Sequence, residues 1–218
     1  KEKFPLMVQR FAALAFPASS EPPADIPQPQ LQTDSTSVET ALSEFALDTS
    51  SKVLAICPGA EFGVAKQWPV EHFARTCESF IDRGWKIWIF GSDKDSQVAK
   101  DILCLLSEQQ RQSCVSLAGK TSLAQAIDLL SMADAVVSND SGLMHIAAAL
   151  DKPVVALYGS TSPDFTPPLT DRAELLSTDI ECRPCFKREC PLGHKKCLMD
   201  LKPDRAINAV NKLMAQGL

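Results

Sequence analysis

From Lys52 onward, short and mainly apolar runs alternate with longer segments whose apolar residues recur at helical spacing, and this alternation constrains the fold most. Val53–Cys57 is a β-type run that ends in the turn signal Pro58-Gly59. Val70–Arg83 then sets Phe73, Cys77, Phe80 and Ile81 on one helical face, with Pro69 at its first turn and Gly84 at its end. Trp85–Phe90 reads as a second strand closed by Gly91. Ser96–Ser107 reads as a helix with Val98, Ile102, Leu105 and Leu106 as its buried stripe. Val115–Ala118, Ala135–Ser138 and Val154–Tyr158 follow as strands, separated by helices over Leu123–Met132 and Gly142–Leu150. Leu175–Leu176 marks a sixth strand and Pro203–Met214 the last helix, with proline at its first position. Strands that are apolar throughout belong to a parallel sheet covered on both faces.

Right-handed crossovers between such strands give an α/β domain, a doubly wound, Rossmann-like parallel sheet. Ligands of these sheets bind at the carboxyl ends of the strands. That rule selects the loops at Pro58–Trp68, Gly91–Asp95, Gly119–Ser122, Asn139–Gly142 and Gly159–Asp164.

The first 50 residues read differently. Phe4–Phe16 suits a short amphipathic helix, Pro17–Pro29 holds five prolines and reads as an extended linker, and Thr40–Leu47 suits a further helix. A boundary between Pro17 and Ser51 separates residues 1–50 from a main domain over 51–218. With 218 residues, the chain accommodates one large domain, or one domain and a piece of another, at about 100–200 residues each. It carries 22 Lys and Arg against 27 Asp and Glu, a net charge of −5 with no basic run, so no nucleic-acid partner is expected. The longest apolar run, Leu143–Leu150, is far below the roughly 20 residues that span a bilayer. Lys1–Arg10 lacks the apolar core of a secretory leader, so the eight cysteines are expected as reduced thiols in the cytoplasm.

Asn139-Asp140-Ser141-Gly142 joins a strand to a helix. Gly142 lets a ligand approach the backbone, and the first helical N–H groups make a natural phosphate site; Asp140 and Ser141 equally suit plain N-capping. Lys66 follows a glycine-bearing loop, where it reaches a phosphate oxygen or simply lies solvated. No GxxxxGK[ST] and no GxGxxG follows any strand, which removes support for ATP hydrolysis and nicotinamide chemistry. Asp93 and Asp95 suit a ribose hydroxyl or a helix start. His145 sits one turn into its helix, facing either the sheet or the crevice. Cys182, Cys185, Cys190 and Cys197 form a group with His194 inside it. Four thiols so close suit a tetrahedral zinc, yet only the first pair has knuckle spacing, so reduced or oxidation-prone thiols are equally open readings. Cys57, Cys77, Cys104 and Cys114 read as buried small side chains.

Taken in order, Pro58-Gly59-Ala60, Lys66-Gln67-Trp68-Pro69, Gly119-Lys120-Thr121-Ser122-Leu123, Ser138-Asn139-Asp140-Ser141-Gly142-Leu143-Met144-His145 and Ala156-Leu157-Tyr158-Gly159 resemble the ADP-heptose:lipopolysaccharide heptosyltransferases, glycosyltransferase family 9. The tail from Cys182 to His194 is particularly similar to the heptosyltransferase II branch. The resemblance covers about Lys52 to Leu218, and weakly Phe4–Phe16.

It implies the C-terminal half of a two-domain GT-B enzyme, with residues 1–50 as the end of the N-terminal domain and the interdomain linker. It implies ADP-heptose as donor, no cofactor and no metal, and the heptosylated lipid A–Kdo acceptor bound through the other half. Lys66 and the backbone at Ser141 and Gly142 would hold the diphosphate, with Gly59 and Ala60 against it. Asp140 would contact heptose hydroxyls, Asp95 the ribose, Thr121 the adenosine pocket, and His145 would line the same site. Lys66 and Asp140 are the implied catalytic pair. A nucleotide-sugar epimerase of the same fold and a non-catalytic nucleotide-binding module are the alternatives. The enzyme would be cytoplasmic, with at most peripheral contact at the inner face of the inner membrane.

Overall fold

Every residue of Val53–Cys57, Ala135–Asn139 and Val154–Leu157 is buried, because helices cover both faces of the sheet they form. The computed structural model describes residues 4–17 and 25–216; residues 18–24 of the expected linker and residues 1–3 at the segment read for a leader lie outside the described residues. In chain order the elements are α1 (Met7–Ala13), α2 (Ser35–Glu44), β1 (Val53–Cys57), α3 (Val70–Ile81), β2 (Lys86–Ile89), α4 (Ser96–Leu105) and the single turn α5 (Glu108–Arg111). They continue with β3 (Cys114–Ser116), α6 (Leu123–Ser131), β4 (Ala135–Asn139), α7 (Gly142–Ala149), β5 (Val154–Leu157), β6 (Ala173–Leu176), α8 (Lys196–Met199) and α9 (Pro203–Gln216).

Among the described residues the strands make one six-stranded sheet of order β3-β2-β1-β4-β5-β6, with every pairing parallel. This is the doubly wound order, and it reverses between β1 and β4, where Cys57 pairs with Ser138. Successive side chains divide between the two layers. Leu54 and Ile56 pack with Phe73, Ile102 and Val210 of α3, α4 and α9. Val53, Ala55 and Cys57 pack with Leu129, Met144 and Ala147 of α6 and α7. Ala41 of α2 joins this second layer.

The expected elements are present, with instructive shifts. The helix expected over Thr40–Leu47 spans Ser35–Glu44 instead, because the Asp34 carboxylate accepts the Ser37 N–H at 3.0 Å and caps it earlier. Leu105 leaves the expected stripe and is 48% exposed; Leu106, turned extended just past the helix, fills the core in its place. Cys104 is exposed rather than buried, because it lies on the solvent side of α4, away from Ala99 and Ile102. Along α1, Phe11 and Leu14 are exposed, so its apolar stripe is not buried among the described residues. No helix among the described residues is long and apolar enough to cross a membrane.

Candidate active site

The reversal of strand order opens a crevice between the loops after β1 and β4, where two neighbouring crossovers leave in opposite directions. A buried asparagine ties these loops together. The Asn139 side-chain amide donates to the Pro58 carbonyl at 2.7 Å, and its oxygen accepts the Trp68 N–H at 3.1 Å. Trp68 is itself anchored, its indole N–H donating to the Leu201 carbonyl at 2.7 Å. Lys66, two residues earlier, closes a 3-10 turn and is thereby aimed across the crevice.

Its ammonium lies 2.7 Å from Asp140 Oδ2 and donates to the Asp140 carbonyl at 3.2 Å. Side-chain exposures of 14% for Lys66 and 4% for Asp140 make this a largely desolvated pair, in which removing either partner would strand a buried charge. The Thr161 hydroxyl donates to the same Oδ2 at 2.6 Å. Among the described residues no donor reaches Oδ1. The Lys66 ammonium also stands 5.1 Å from the Phe62 ring centroid, a cation–π contact.

Helix α7 begins directly beside this pair. The Ser141 hydroxyl pairs with that of Ser138 at 3.2 Å and caps no first-turn N–H, while the Asp140 carboxylate is engaged by Lys66 and Thr161. The capping reading of these two residues therefore fails. Gly142 leaves open space, since a Cβ there would meet nothing within 4 Å. The result is an uncapped helix start with its partial positive charge beside an ammonium, suited to a phosphate.

Two hollows open among these loops. One, of about 220 Å³, is lined by Gly59, Ala60, Asp95, Ser141 and Gly142. The other, of about 600 Å³, is lined by Lys66 and Thr161 with Phe62, Phe165 and Phe186 as aromatic walls. Asp95 Oδ2 accepts the N–H and hydroxyl of Ser92 at 2.8 and 2.7 Å, so the carboxylate serves a turn as well as a wall of the smaller hollow. A Cβ on Gly59 would stand 2.5 Å from that carboxylate. Gly59→Ala is accordingly expected to cost about 1–3 kcal/mol by overpacking, whereas Gly142→Ala should leave the melting temperature nearly unchanged. Thermal denaturation of both variants checks this, and equal losses would refute the packing argument.

Of the expected site residues, Gly59, Ala60, Asp95, Ser141 and Gly142 share the smaller hollow, Lys66 lines the larger one, and Asp140 is buried behind Lys66 and lines neither. His145 lies in neither; it lines a third recess with Phe11 and Phe165. Burial holds its imidazole below the usual value, opposed by Asp140 and reinforced by Lys66. Thr121 precedes the α6 N-cap Ser122 and lines neither hollow. Asn139, Thr161 and Phe62 went unselected in the sequence. Only the strand-end rule pointed towards them, and it picks loops rather than side chains.

The four tail cysteines are free and line one small cavity of about 20 Å³ with Ser160 and His194. Among the described residues no three His, Cys, Asp or Glu side chains are arranged to hold a metal ion. The Cys190 sulfur accepts the Lys195 N–H at 3.4 Å, which with neighbouring backbone N–H groups lowers the proton affinity of that thiol.

A doubly wound parallel sheet with a lysine and an uncapped helix start at its switch point defines a Rossmann-like domain with a crevice shaped for an anionic ligand. The chain matches the sequence profile of glycosyltransferase family 9 (heptosyltransferase) over residues 1–196, and belongs to that family. It is 41% identical over 221 residues to lipopolysaccharide heptosyltransferase 2 of Escherichia coli K12, covering 99% of this chain and 64% of that protein. It is 44% identical over 225 residues to lipooligosaccharide heptosyltransferase 2 of Haemophilus ducreyi, covering 99% of this chain and 65% of that one. The solved structure of E. coli ADP-heptose lps heptosyltransferase II superposes with a TM-score of 0.88 at 40% identity, over 100% of this chain and 64% of that one. The chain thus spans about 64% of the length of these relatives.

Proposed function

We propose that residues 51–218 form the donor-binding domain of an inverting glycosyltransferase, one that moves L-glycero-D-manno-heptose from ADP-heptose to the first heptose of the lipopolysaccharide inner core. Residues 1–50 then belong to the end of the N-terminal domain and the linker. One observation carries this reading: the Lys66 ammonium and the uncapped start of α7 converge beside Asp140 at the switch point. The relatives named as heptosyltransferases support heptose as the sugar.

In this reading the diphosphate lies against Lys66 and the backbone at Ser141 and Gly142, with Gly59 and Ala60 beside it. The nucleoside occupies the hollow near Asp95, and Thr121 and His145, which line neither hollow, have no part in holding it. As the anomeric bond breaks, charge develops on the departing ADP, and an ammonium and a helix N-terminus already oriented there stabilise it without rearrangement. Asp140, which would repel phosphate, accepts hydrogen bonds from sugar hydroxyls instead. The acceptor hydroxyl must lose its proton to a base, and that base comes from the other half of the enzyme. On this reading the enzyme lies in the cytoplasm, with at most peripheral contact at the inner face of the inner membrane.

Calorimetric titration with ADP, ADP-heptose, UDP and NAD, without divalent metal, tests the reading. Selective binding of ADP and ADP-heptose is expected, together with negligible heptosyl transfer by this chain. Preference for UDP, or no binding at all, would refute the donor assignment. Steady transfer by the 218-residue chain would refute the missing base.

A further inference from the structure

The loop that carries the first tail cysteines is bonded to both walls of the crevice. Arg183 donates through Nε to the Gly159 carbonyl at 3.2 Å, through Nη2 to the Thr161 carbonyl at 3.1 Å and through Nη1 to the Thr178 carbonyl at 3.3 Å. The Phe186 N–H donates to the Ser160 carbonyl between them at 2.7 Å. Three consecutive carbonyls, at 159, 160 and 161, are therefore held by one short segment. On the opposite wall the Ala65 N–H donates to the Arg188 carbonyl at 3.0 Å, and the Arg188 guanidinium lies 5.5 Å from the Phe62 ring centroid.

The backbone that Arg183 fixes carries Thr161, whose hydroxyl holds Asp140 Oδ2. Lys66 shares that oxygen at 2.7 Å, and among the described residues no hydrogen bond reaches Oδ1. Thr161 adds a second donor to the oxygen that Lys66 already holds, and two donors fix the carboxylate plane more firmly than one.

We propose that Arg183 is a positioning residue for the donor's sugar. By clamping the 159–161 backbone it keeps the Thr161 hydroxyl on Asp140 and so turns Oδ1 towards the sugar hydroxyls. It thereby sets the preference for a nucleotide sugar over the bare nucleotide. The inference rests on the donor-site reading above.

The test compares dissociation constants for ADP and ADP-heptose by calorimetry in the wild type, Arg183→Gln, Arg183→Lys, Thr161→Val and Arg172→Gln. Losing one well-placed hydrogen bond corresponds to about tenfold in affinity, so Arg183→Gln and Thr161→Val should each cut the ADP-heptose preference by roughly that factor while ADP affinity holds within about threefold. Arg183→Lys, which keeps the charge and fewer donors, should restore part of the preference. Arg172→Gln removes a comparable tie, from the guanidinium to the Asp151 carbonyl at 2.8 Å, outside both hollows, and should leave the ratio intact.

A purely structural Arg183 would weaken both ligands alike, and that outcome overturns the inference. Should Arg183→Gln fail to fold, a wild-type ratio in Thr161→Val overturns it equally. A wild type that binds neither nucleotide overturns the donor site itself, and the inference with it.

Discussion

Replacing Lys66 by alanine lowers ADP affinity by about ten- to a hundredfold, the worth of a charge-assisted hydrogen bond to a phosphate oxygen. It also removes the cation from a carboxylate that is only 4% exposed. Stranding a buried charge in this way costs on the order of 3 kcal/mol, which lowers the melting temperature by roughly 6–12 °C in a domain of this size. The two effects separate in the double variant Lys66→Met with Asp140→Asn, which leaves no buried charge. That variant should recover most of the melting temperature and none of the ADP affinity. Calorimetry and thermal denaturation on the three proteins decide the matter. Recovery of ADP binding in the double variant would show that Lys66 acts only through folding.

The second large effect is expected at Asn139→Leu. The leucine removes both partners of two buried backbone groups, the Trp68 N–H and the Pro58 carbonyl. Each unsatisfied group costs about 1–3 kcal/mol, so the sum is about 4 kcal/mol and the melting temperature falls by roughly 10 °C. Because Asn139 holds the loop that bears Lys66, ADP affinity should fall as well. Asn139→Asp offers only acceptors and cannot donate to Pro58; it should be destabilised nearly as much. A melting temperature within about 2 °C of wild type in Asn139→Leu would mean that water or another side chain satisfies these groups.

The sheet was legible because buried parallel strands leave a clear record: Val53–Cys57, Ala135–Val137 and Val154–Tyr158 are continuous apolar runs with Pro, Gly or Asp beside them. Their carboxyl ends then indicated Lys66 and Asn139–Gly142 as site loops, and the resemblance supplied roles for single residues. What stayed hidden was set by contacts across the fold. Asn139 looks like one more loop residue until it is seen spanning two loops, and Thr161 gains meaning only once it meets Asp140. Local patterns also misjudge rotation about a helix axis: Leu105 fits an inward stripe on paper and Cys104 reads as a buried thiol, yet α4 presents Ala99 and Ile102 to the core. The start of α2 was readable from Asp34 and Ser37 as a cap, but the apolar residues at its end drew the expected boundary too far along.

The bond from Lys66 to Asp140 closes 74 residues of chain, and that from Asn139 to Pro58 closes 81. No short stretch of sequence contains the crevice in miniature. Loops of such length are closed late in folding, because their entropy must be met before any contact within them rewards it. The crevice therefore exists only where β1 and β4 already lie side by side, and a ligand bound in it grips the centre of the sheet rather than a loose edge. Occupancy should accordingly slow amide exchange across the central strands as one cooperative unit, and a proteolytic piece that lacks either strand should have no residual affinity at all.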